Sequence, residues 1–208
     1  MALLLSCGVQ EGTEAAHLSH AGLTWLRLSD LEITLGRIEE QPDGELLVRD
    51  EKVRAVSRLP GDRAVLRFRY HGPTPRAAAF ASGEVRRQIG LKLRAADSCN
   101  LLYVLWVLEP SPAIRILGKT NPGDSRHAEC GTEGYVDLAD PIPTEAIVSD
   151  GGVHELAATL AGGRLEVWAD GALVHERPLP GAASRLRGPA GLRTDNGRFS
   201  LRLGIASP

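Results

Sequence analysis

The amino-acid sequence predicts an all-β protein, a two-sheet antiparallel β-sandwich of jelly-roll type. About ten short runs have the residue types and the alternation of β-strands. Turn-forming sequences rich in Gly and Pro separate these runs. No segment has the length and the period of a long helix. Many short strands without long helices are typical of β-sandwiches, and jelly-roll connectivity is the expected topology.

The first four predicted strands lie at residues 23–28, 45–48, 63–70 and 85–94. The third strand places Ala64, Leu66, Phe68 and Tyr70 on one face, and Arg63, Val65, Arg67 and Arg69 on the other. In the fourth strand Lys92 and Arg94 alternate with apolar residues in the same way. Such alternation is typical of strands with one buried face, so both strands are predicted to have basic outer faces.

The middle of the chain predicts a buried strand followed by a long connection. Residues 101–108 are apolar on both faces, which favours a central position in a covered sheet. A hairpin through residues 109–112 joins them to a strand at residues 114–117. Residues 120–149 form a long irregular stretch, and loops of this length are usually functional or disordered. The best helix signal is the short Ala-rich segment 75–82.

Four more strands are predicted near the C-terminus, at residues 153–160, 164–170, 172–176 and 198–205. The joints between them include Gly162-Gly163, Asp170-Gly171 and Asp195-Asn196-Gly197. Asp, Asn and Gly are favoured in hairpin turns because they tolerate positive φ. We therefore expect the end of the chain to form one antiparallel sheet.

The charge balance limits the classes of partner. The 24 Lys and Arg residues are matched by 26 Asp and Glu, and no basic tract forms a nucleic-acid footprint. No apolar run approaches the ~20 residues that a bilayer-spanning helix needs. We expect one soluble, monomeric β-sandwich domain at residues 22–208, with no nucleic-acid partner, preceded at residues 1–21 by a truncated, lipobox-like signal segment and a tether.

The N-terminus carries a short motif that bears on compartment. Residues 4–7, Leu-Leu-Ser-Cys, resemble the bacterial lipobox, in which a signal peptidase cuts before a lipidated cysteine. The residues before Cys7 lack a charged n-region and are short for a signal. Either the natural start lies upstream, or the motif is a coincidence in a cytosolic chain. In the first case the protein is exported, whether periplasmic, outer-membrane-anchored or extracellular, and Cys7 is its membrane attachment.

The remaining cysteines, Cys99 and Cys130, each flank a predicted strand region. An even number of cysteines in an exported protein predicts a disulfide. The alternative is two buried free thiols that behave as small apolar side chains. Export therefore favours a Cys99–Cys130 bridge.

Three segments resemble the concanavalin A-like lectin/glucanase superfamily. They are residues 90–94 with 100–106, residues 163–171 around Val-Trp-Ala-Asp-Gly, and residues 188–199 around Gly-Pro-Ala-Gly-Leu-Arg. The last two are similar to the closing strands of laminin-G-like and 3-keto-disaccharide hydrolase-like domains. The resemblance implies a domain that binds or cleaves carbohydrate on a concave sheet face, often with a structural calcium ion.

An enzyme of this kind would need acid and base groups, and the loop at residues 127–135 offers His127, Glu129 and Glu133. The alternative is a solvated loop pinned at Cys130. The acidic Glu-x-Asp-x-Glu strand of sandwich glycosidases has no counterpart, because residues 166–170 stop short of it. This favours a carbohydrate-binding module over a glycoside hydrolase-like enzyme, with a protein-interaction module as a further alternative.

A binding module would use aromatic faces as platforms for sugar rings. Trp168, Tyr103 and Tyr70 are the aromatic residues predicted to bind ligand. Leu165 and Val167 occupy the opposite phase of the strand that contains Trp168, which favours an outward position for its ring. The alternative is that each ring lies in the core, because a sandwich needs large side chains inside.

Charged side chains offer two further kinds of site. Arg67, Arg69 and Lys92 on the basic outer faces are predicted to contact an acidic glycan, if the two faces are neighbours. The alternative is a solvated charged surface that resists edge pairing. Asp170 and Asp195 offer oxygen ligands of the type that calcium prefers. Both also lie in ordinary turn sequences, so the turn role and the calcium role stay open.

Overall fold

Sixteen strands form two antiparallel sheets in a computed structural model, which describes residues 20–147 and 150–206. The first eight strands in chain order are β1 (Thr24–Trp25), β2 (Leu31–Leu35), β3 (Glu39–Glu40), β4 (Leu46–Val48), β5 (Lys52–Ser57), β6 (Arg63–Pro73), β7 (Arg87–Leu93) and β8 (Leu101–Glu109). The other eight are β9 (Ala113–Lys119), β10 (Tyr135–Asp137), β11 (Ile142–Pro143), β12 (His154–Ala161), β13 (Arg164–Ala169), β14 (Ala172–Pro178), β15 (Gly191–Asp195) and β16 (Gly197–Ala206).

The helices are short. One α-helix, α1, spans His127–Cys130, and two 3-10 helices span Leu28–Asp30 and Gly181–Arg185. None of the helices within the described ranges is long and apolar enough to cross a membrane.

Each sheet contains eight strands. Sheet A has the order β14-β13-β12-β6-β16-β4-β3, and β1 also pairs with β16. Sheet B has the order β10-β9-β8-β7-β15-β5-β2, and β11 also pairs with β9. Neighbours in both sheets run antiparallel, and the main hydrophobic core lies between the sheets. The predicted all-β sandwich of jelly-roll type is confirmed.

Period-two patterns explain the long strands. Along β6 burial alternates as predicted, with Phe68 and Tyr70 inside and Arg67 and Arg69 outside. The central position predicted for residues 101–108 is also confirmed, because β8 lies between β7 and β9 and is buried throughout that range. Trp106 of β8 links the sheets, since its ring meets Phe68 edge-on with the centroids 5.8 Å apart.

The C-terminal turns behave in two ways. The hairpins β12–β13 and β13–β14 are confirmed. The turn Asp195-Asn196-Gly197 is not a hairpin, because it carries the chain from β15 in sheet B to β16 in sheet A. Asn196 has a φ of 56° and its side chain accepts from Ala78 N and donates to the carbonyl oxygens of Ala78 and Arg86. The turn sequence predicted the positive φ at Asn196. The change of sheet depends on the hydrogen bonds to these distant partners.

Several elements depart from the prediction. The segment 75–82 is irregular rather than helical, since its backbone is bonded to Asn196 instead of to itself. The predicted strand 23–28 is reduced to β1 and the start of a 3-10 helix. The stretch 120–149 contains α1, β10 and β11. Strands β2, β3, β5 and β15 were also not predicted.

The predicted disulfide between Cys99 and Cys130 is confirmed. It ties the start of β8 to the end of α1, and so fixes the loop that precedes β10. The lipobox-like Cys7 and the predicted tether lie outside the described residues, apart from residues 20 and 21.

Candidate functional site

The outer face of sheet B forms a groove of about 1100 Å³. Its floor consists of outward-facing residues of the central strands of that sheet, and residues 80–86 and 127–137 border it. Three aromatic side chains line it, Phe80, Tyr103 and Tyr135. Six basic side chains also line it, namely Lys52, Arg54, Arg86, Lys92, Arg115 and Arg193, against two acidic ones, Glu84 and Asp137. The groove is therefore aromatic and predominantly basic.

Strand register brings three of the basic residues together. Strand β15 lies between β5 and β7, so Arg193 is opposite Arg54 on one side and Gly90 on the other. Lys92 follows two residues after Gly90 on the same face of β7, and it is opposite Tyr103 of β8. We call Arg54, Lys92 and Arg193 the basic floor of the groove.

A buried carboxylate holds the two arginines in place. Asp195 is fully buried, and its oxygens accept hydrogen bonds from Arg54 Nη2 at 2.6 Å, Arg193 Nε at 2.8 Å and Gln88 Nε2 at 2.7 Å. Burial by itself raises the pKa of the Asp195 carboxyl, but the two guanidiniums outweigh it and hold that pKa below its ordinary value. Asp195 is therefore an ionised internal counter-charge.

Two rings hold the Arg193 guanidinium between them. Its central carbon lies 5.0 Å from the centroid of Tyr103 and 5.6 Å from that of Phe80. Tyr135 stacks on Tyr103 with centroids 6.1 Å apart and an interplanar angle of 22°. Burial raises the pKa of Tyr103 to about 12, so its hydroxyl stays protonated at neutral pH. The Nη groups of Arg193 have no hydrogen-bond partner within the described ranges.

Lys92 differs from the arginines because it lacks a counter-charge of its own. Its residue is only 6% exposed, and no side chain or carbonyl in the described part of the chain pairs with its ammonium group. Burial first, and then repulsion by Arg54 and Arg193, lowers the pKa of Lys92 to about 8, although Glu32 opposes the shift. A buried, unpaired amine that lines a groove is a functional-site candidate on physical grounds.

The structure places the three predicted aromatic residues in three different environments. Tyr103 lies in the groove. Tyr70 faces the interior at 4% exposed, with its ring centroid 5.4 Å from that of Phe199, so the structure places it in the core and not in the groove. Trp168 does face outward from β13, but it is only 9% exposed because Trp25 covers it in a small apolar cluster. Its ring is a packing element of sheet A rather than an open platform.

The predicted basic set is divided as well. Lys92 lies in the groove, whereas Arg67 and Arg69 lie on the outer face of sheet A. The condition that the two basic faces are neighbours is therefore not met, because β6 and β7 belong to different sheets. Arg67 pairs with Glu155 at 3.7 Å, and Arg69 donates to the carbonyl oxygen of Gly151.

The loop at residues 127–135 has a largely structural geometry. Glu129 accepts hydrogen bonds from the backbone N–H of Ser125 at 3.1 Å and of Arg126 at 3.0 Å, which caps α1. These bonds and the Arg126 side chain lower the pKa of Glu129, so it is ionised and committed to the cap. His127 lines the rim of the groove, and Glu133 is exposed. This arrangement favours the solvated loop pinned at Cys130.

The two predicted calcium ligands lie apart. Asp170 belongs to the β13–β14 turn of sheet A, where its oxygens contact His154 Nδ1 at 2.8 Å and Glu155 N at 2.7 Å. Asp195 belongs to sheet B, and both of its oxygens are already occupied. No group of three or more His, Cys, Asp or Glu in residues 20–147 and 150–206 is arranged to hold a metal ion. A structural calcium ion stays a prediction.

Sequence reasoning missed Arg54 and Arg193, although a signal was present. Both occupy alternating segments, Lys-Val-Arg-Ala-Val-Ser and Gly-Leu-Arg-Thr-Asp, in which apolar or small residues separate the polar ones. The same period-two reasoning that was applied to β6 places both arginines on an outer face. Phe80 lies in an irregular segment and Tyr135 begins the three-residue strand β10, and neither stretch is long enough for periodicity to give information.

Comparison with known proteins identifies the fold. The carbohydrate-binding module CBM66 from Bacillus subtilis is similar with a TM-score of 0.53 and 12% identity, over 83% of this chain and 91% of that one. The Crh5 transglycosylase in complex with NAG is similar with a TM-score of 0.52 and 14% identity, over 90% and 84%. The metal-free carbohydrate recognition domain of Emp46p follows with a TM-score of 0.50 and 9% identity, over 86% and 88%.

These likenesses show the concanavalin A-like jelly-roll fold, as the sequence resemblance implied. No protein-family profile matches the sequence, and no curated protein matches it.

Proposed function

We propose that this protein is a carbohydrate-binding module whose glycan lies in the groove on the outer face of sheet B. The observation that carries the proposal is the groove itself, which combines aromatic side chains with buried, oriented hydrogen-bond donors. Two proteins of the same fold, CBM66 and the Emp46p domain, are named for carbohydrate binding or recognition. Ligand sites of this size are usually apolar with a few placed polar groups.

Each part of the groove has a role in this proposal. The exposed ring of Tyr135, backed by Tyr103, offers a flat face to the C–H surface of a sugar ring. The unpaired Nη groups of Arg193 and the amine of Lys92 offer donors to sugar oxygens. The excess of basic over acidic side chains favours an acidic glycan over a neutral one.

Export supplies the compartment in which such a module would meet its ligand. The Cys99–Cys130 disulfide supports this, because stable disulfides belong to oxidising compartments. We further propose attachment to a membrane through a lipid on Cys7, and a monomeric state. Fractionation of cells that express the natural gene product tests the anchor; a purely cytosolic location would contradict it.

The experiment is a glycan-array screen of the purified protein, in calcium and again in chelator. We expect selective binding of a small set of glycans. Tyr135→Ala should weaken it, whereas Leu173→Ala, which trims a comparably exposed side chain of sheet A, should leave it unchanged. Binding that disappears in chelator would support a calcium ion. An array that is blank in both buffers would replace this proposal with a protein-interaction module.

A further inference from the structure

We propose that the basic floor of the groove, Arg54, Lys92 and Arg193, is an anion subsite that receives one carboxylate or sulfate group of the bound glycan. The inference rests on the proposed function, and it adds the chemical group that is recognised and the residue that decides the specificity. That residue is Lys92.

The basic floor carries more positive charge than its internal counter-charge balances. Three cations lie together, and the buried carboxylate of Asp195 balances only one of them. The side chains of Arg54 and Arg193 are only 14% and 10% exposed, so water screens this excess weakly. Buried charge without a partner is costly, and an anion from outside would remove the cost.

The three cations differ in how many of their hydrogen-bond donors the protein already uses. Both terminal nitrogens of Arg54 are engaged within the protein, because Nη1 donates to the carbonyl oxygens of Val53 and Thr194 and Nη2 donates to Asp195. Arg193 uses only Nε for Asp195 and presents its Nη groups to the groove. A guanidinium fixed in this way matches the two oxygens of a carboxylate or a sulfate. Lys92 adds a second cationic donor beside it.

Other cations of the groove already have partners within the protein. Arg115 binds Asp137 at 2.7 Å, and Lys52 donates to the carbonyl oxygen of Ala79 at 3.1 Å. Arg86 pairs with Glu84. An anion that enters the groove therefore gains most at Lys92 and Arg193.

The affinity of the subsite for an anion should depend on pH. The groups that face Lys92 are Arg54 on β5, Arg193 on β15, Tyr103 on β8 and Glu32 on β2. The two arginines disfavour the charged form of Lys92, and Glu32 favours it. Its pKa near 8 means that part of its charge is lost in mildly alkaline solution, and a bound anion would raise that pKa. Affinity for an acidic glycan should fall as the pH rises through about 8, while affinity for a neutral glycan should not.

The test is calorimetric titration of the full chain with a polyuronate, a sulfated galactan and a neutral galactan. Lys92→Met should lower the affinity for the acidic glycan by at least about tenfold, as expected for a charge-assisted hydrogen bond, and should spare the neutral one. Lys92→Arg should retain acidic binding. The matched control is Arg67→Met, which removes one positive charge from the outer face of sheet A and should change affinity by less than about twofold.

The outcomes separate the two proposals. Equal binding of neutral and acidic glycans by the wild type, or unchanged acidic binding by Lys92→Met, would overturn the subsite and leave the carbohydrate module standing. If no glycan binds, the module fails, and inorganic sulfate then probes the subsite alone. Thermal protection by sulfate that is lost in Lys92→Met would support it, and no difference between the two proteins would overturn it. The polyuronate and sulfated arms distinguish carboxylate from sulfate.

Discussion

Replacing Lys92 by methionine should make the protein more stable at neutral pH, because it removes a buried positive charge from the groove floor. The side chain of methionine is similar in length and apolar, so the packing against Tyr103 is largely kept. What disappears is a buried ammonium group that two nearby guanidiniums repel. A side chain that lowers the stability of the protein and lines a groove indicates a role in ligand binding rather than in folding.

The magnitude follows from linkage. The pKa of Lys92 falls from 10.5 in the unfolded chain to about 8 in the folded protein. Each pKa unit corresponds to about 1.4 kcal/mol, so the ammonium group costs about 3 kcal/mol below pH ~8. Between the two pKa values the unfolded chain binds more protons, and the stability of the wild type therefore rises with pH. The advantage of the variant should shrink to about half near pH ~9.5.

Urea unfolding of the wild type and of Lys92→Met, with the disulfide intact, measures the difference in their free energies of unfolding at pH ~7 and pH ~9.5. Terms that are common to both proteins cancel in the difference, so the part of that difference that varies with pH reports the charge of Lys92. We expect Lys92→Met to be more stable by about 3 kcal/mol at the lower pH, with the gap narrowing at the higher one. A variant that is less stable at pH ~7, or a gap that does not depend on pH, would refute the account of Lys92 as an uncompensated buried charge.

Removing the internal counter-charge should lower stability, whereas removing the Lys92 charge should raise it. In urea unfolding Asp195→Asn should destabilise the protein by about 3–5 kcal/mol, because it leaves two buried guanidiniums unpaired. Since the pKa of this carboxyl is lowered in the folded state, the gap should close as the pH falls, and a constant gap would contradict the ion-pair role. Trp168→Ala should cost about 3–5 kcal/mol while glycan affinity stays unchanged, and lost affinity in a folded variant would restore its ligand role. Cys99→Ser opens a loop with a separation of 31 residues and should cost about 4 kcal/mol, which unfolding without reductant would reveal.

Local patterns predicted the parts of the fold that local physics determines. Alternation located β6 and its two faces, and a doubly apolar run located β8 at the centre of its sheet. Turn chemistry located positive φ at Asp170 and Asn196. The same chemistry could not say that one turn closes a hairpin and the other changes sheets, because that depends on bonds from Asn196 to residues more than a hundred positions away.

The site was only partly predictable for a related reason. Lys92 and Tyr103 were identified, but they were grouped with Arg67 and Arg69 because both strands had basic outer faces. Faces of separate strands become one surface only through sheet order, and sheet order is not local. The basic floor draws on β5, β7 and β15, which lie side by side although they are far apart in the sequence. The proximity of Arg54 and Arg193 therefore follows only from the pairing register of β15 with β5.

The contrast between Trp168 and Lys92 shows why stability and binding should be measured together. Both were predicted to contact ligand, and in both cases the strand alternation favoured an outward side chain. Trp168 is satisfied by its neighbours in sheet A, so its removal should lower stability and spare binding. Lys92 is left unsatisfied by its neighbours, so its removal should raise stability and abolish the preference for acidic glycans. Opposite signs in the two assays would separate the side chains that hold this sandwich together from those kept for a ligand.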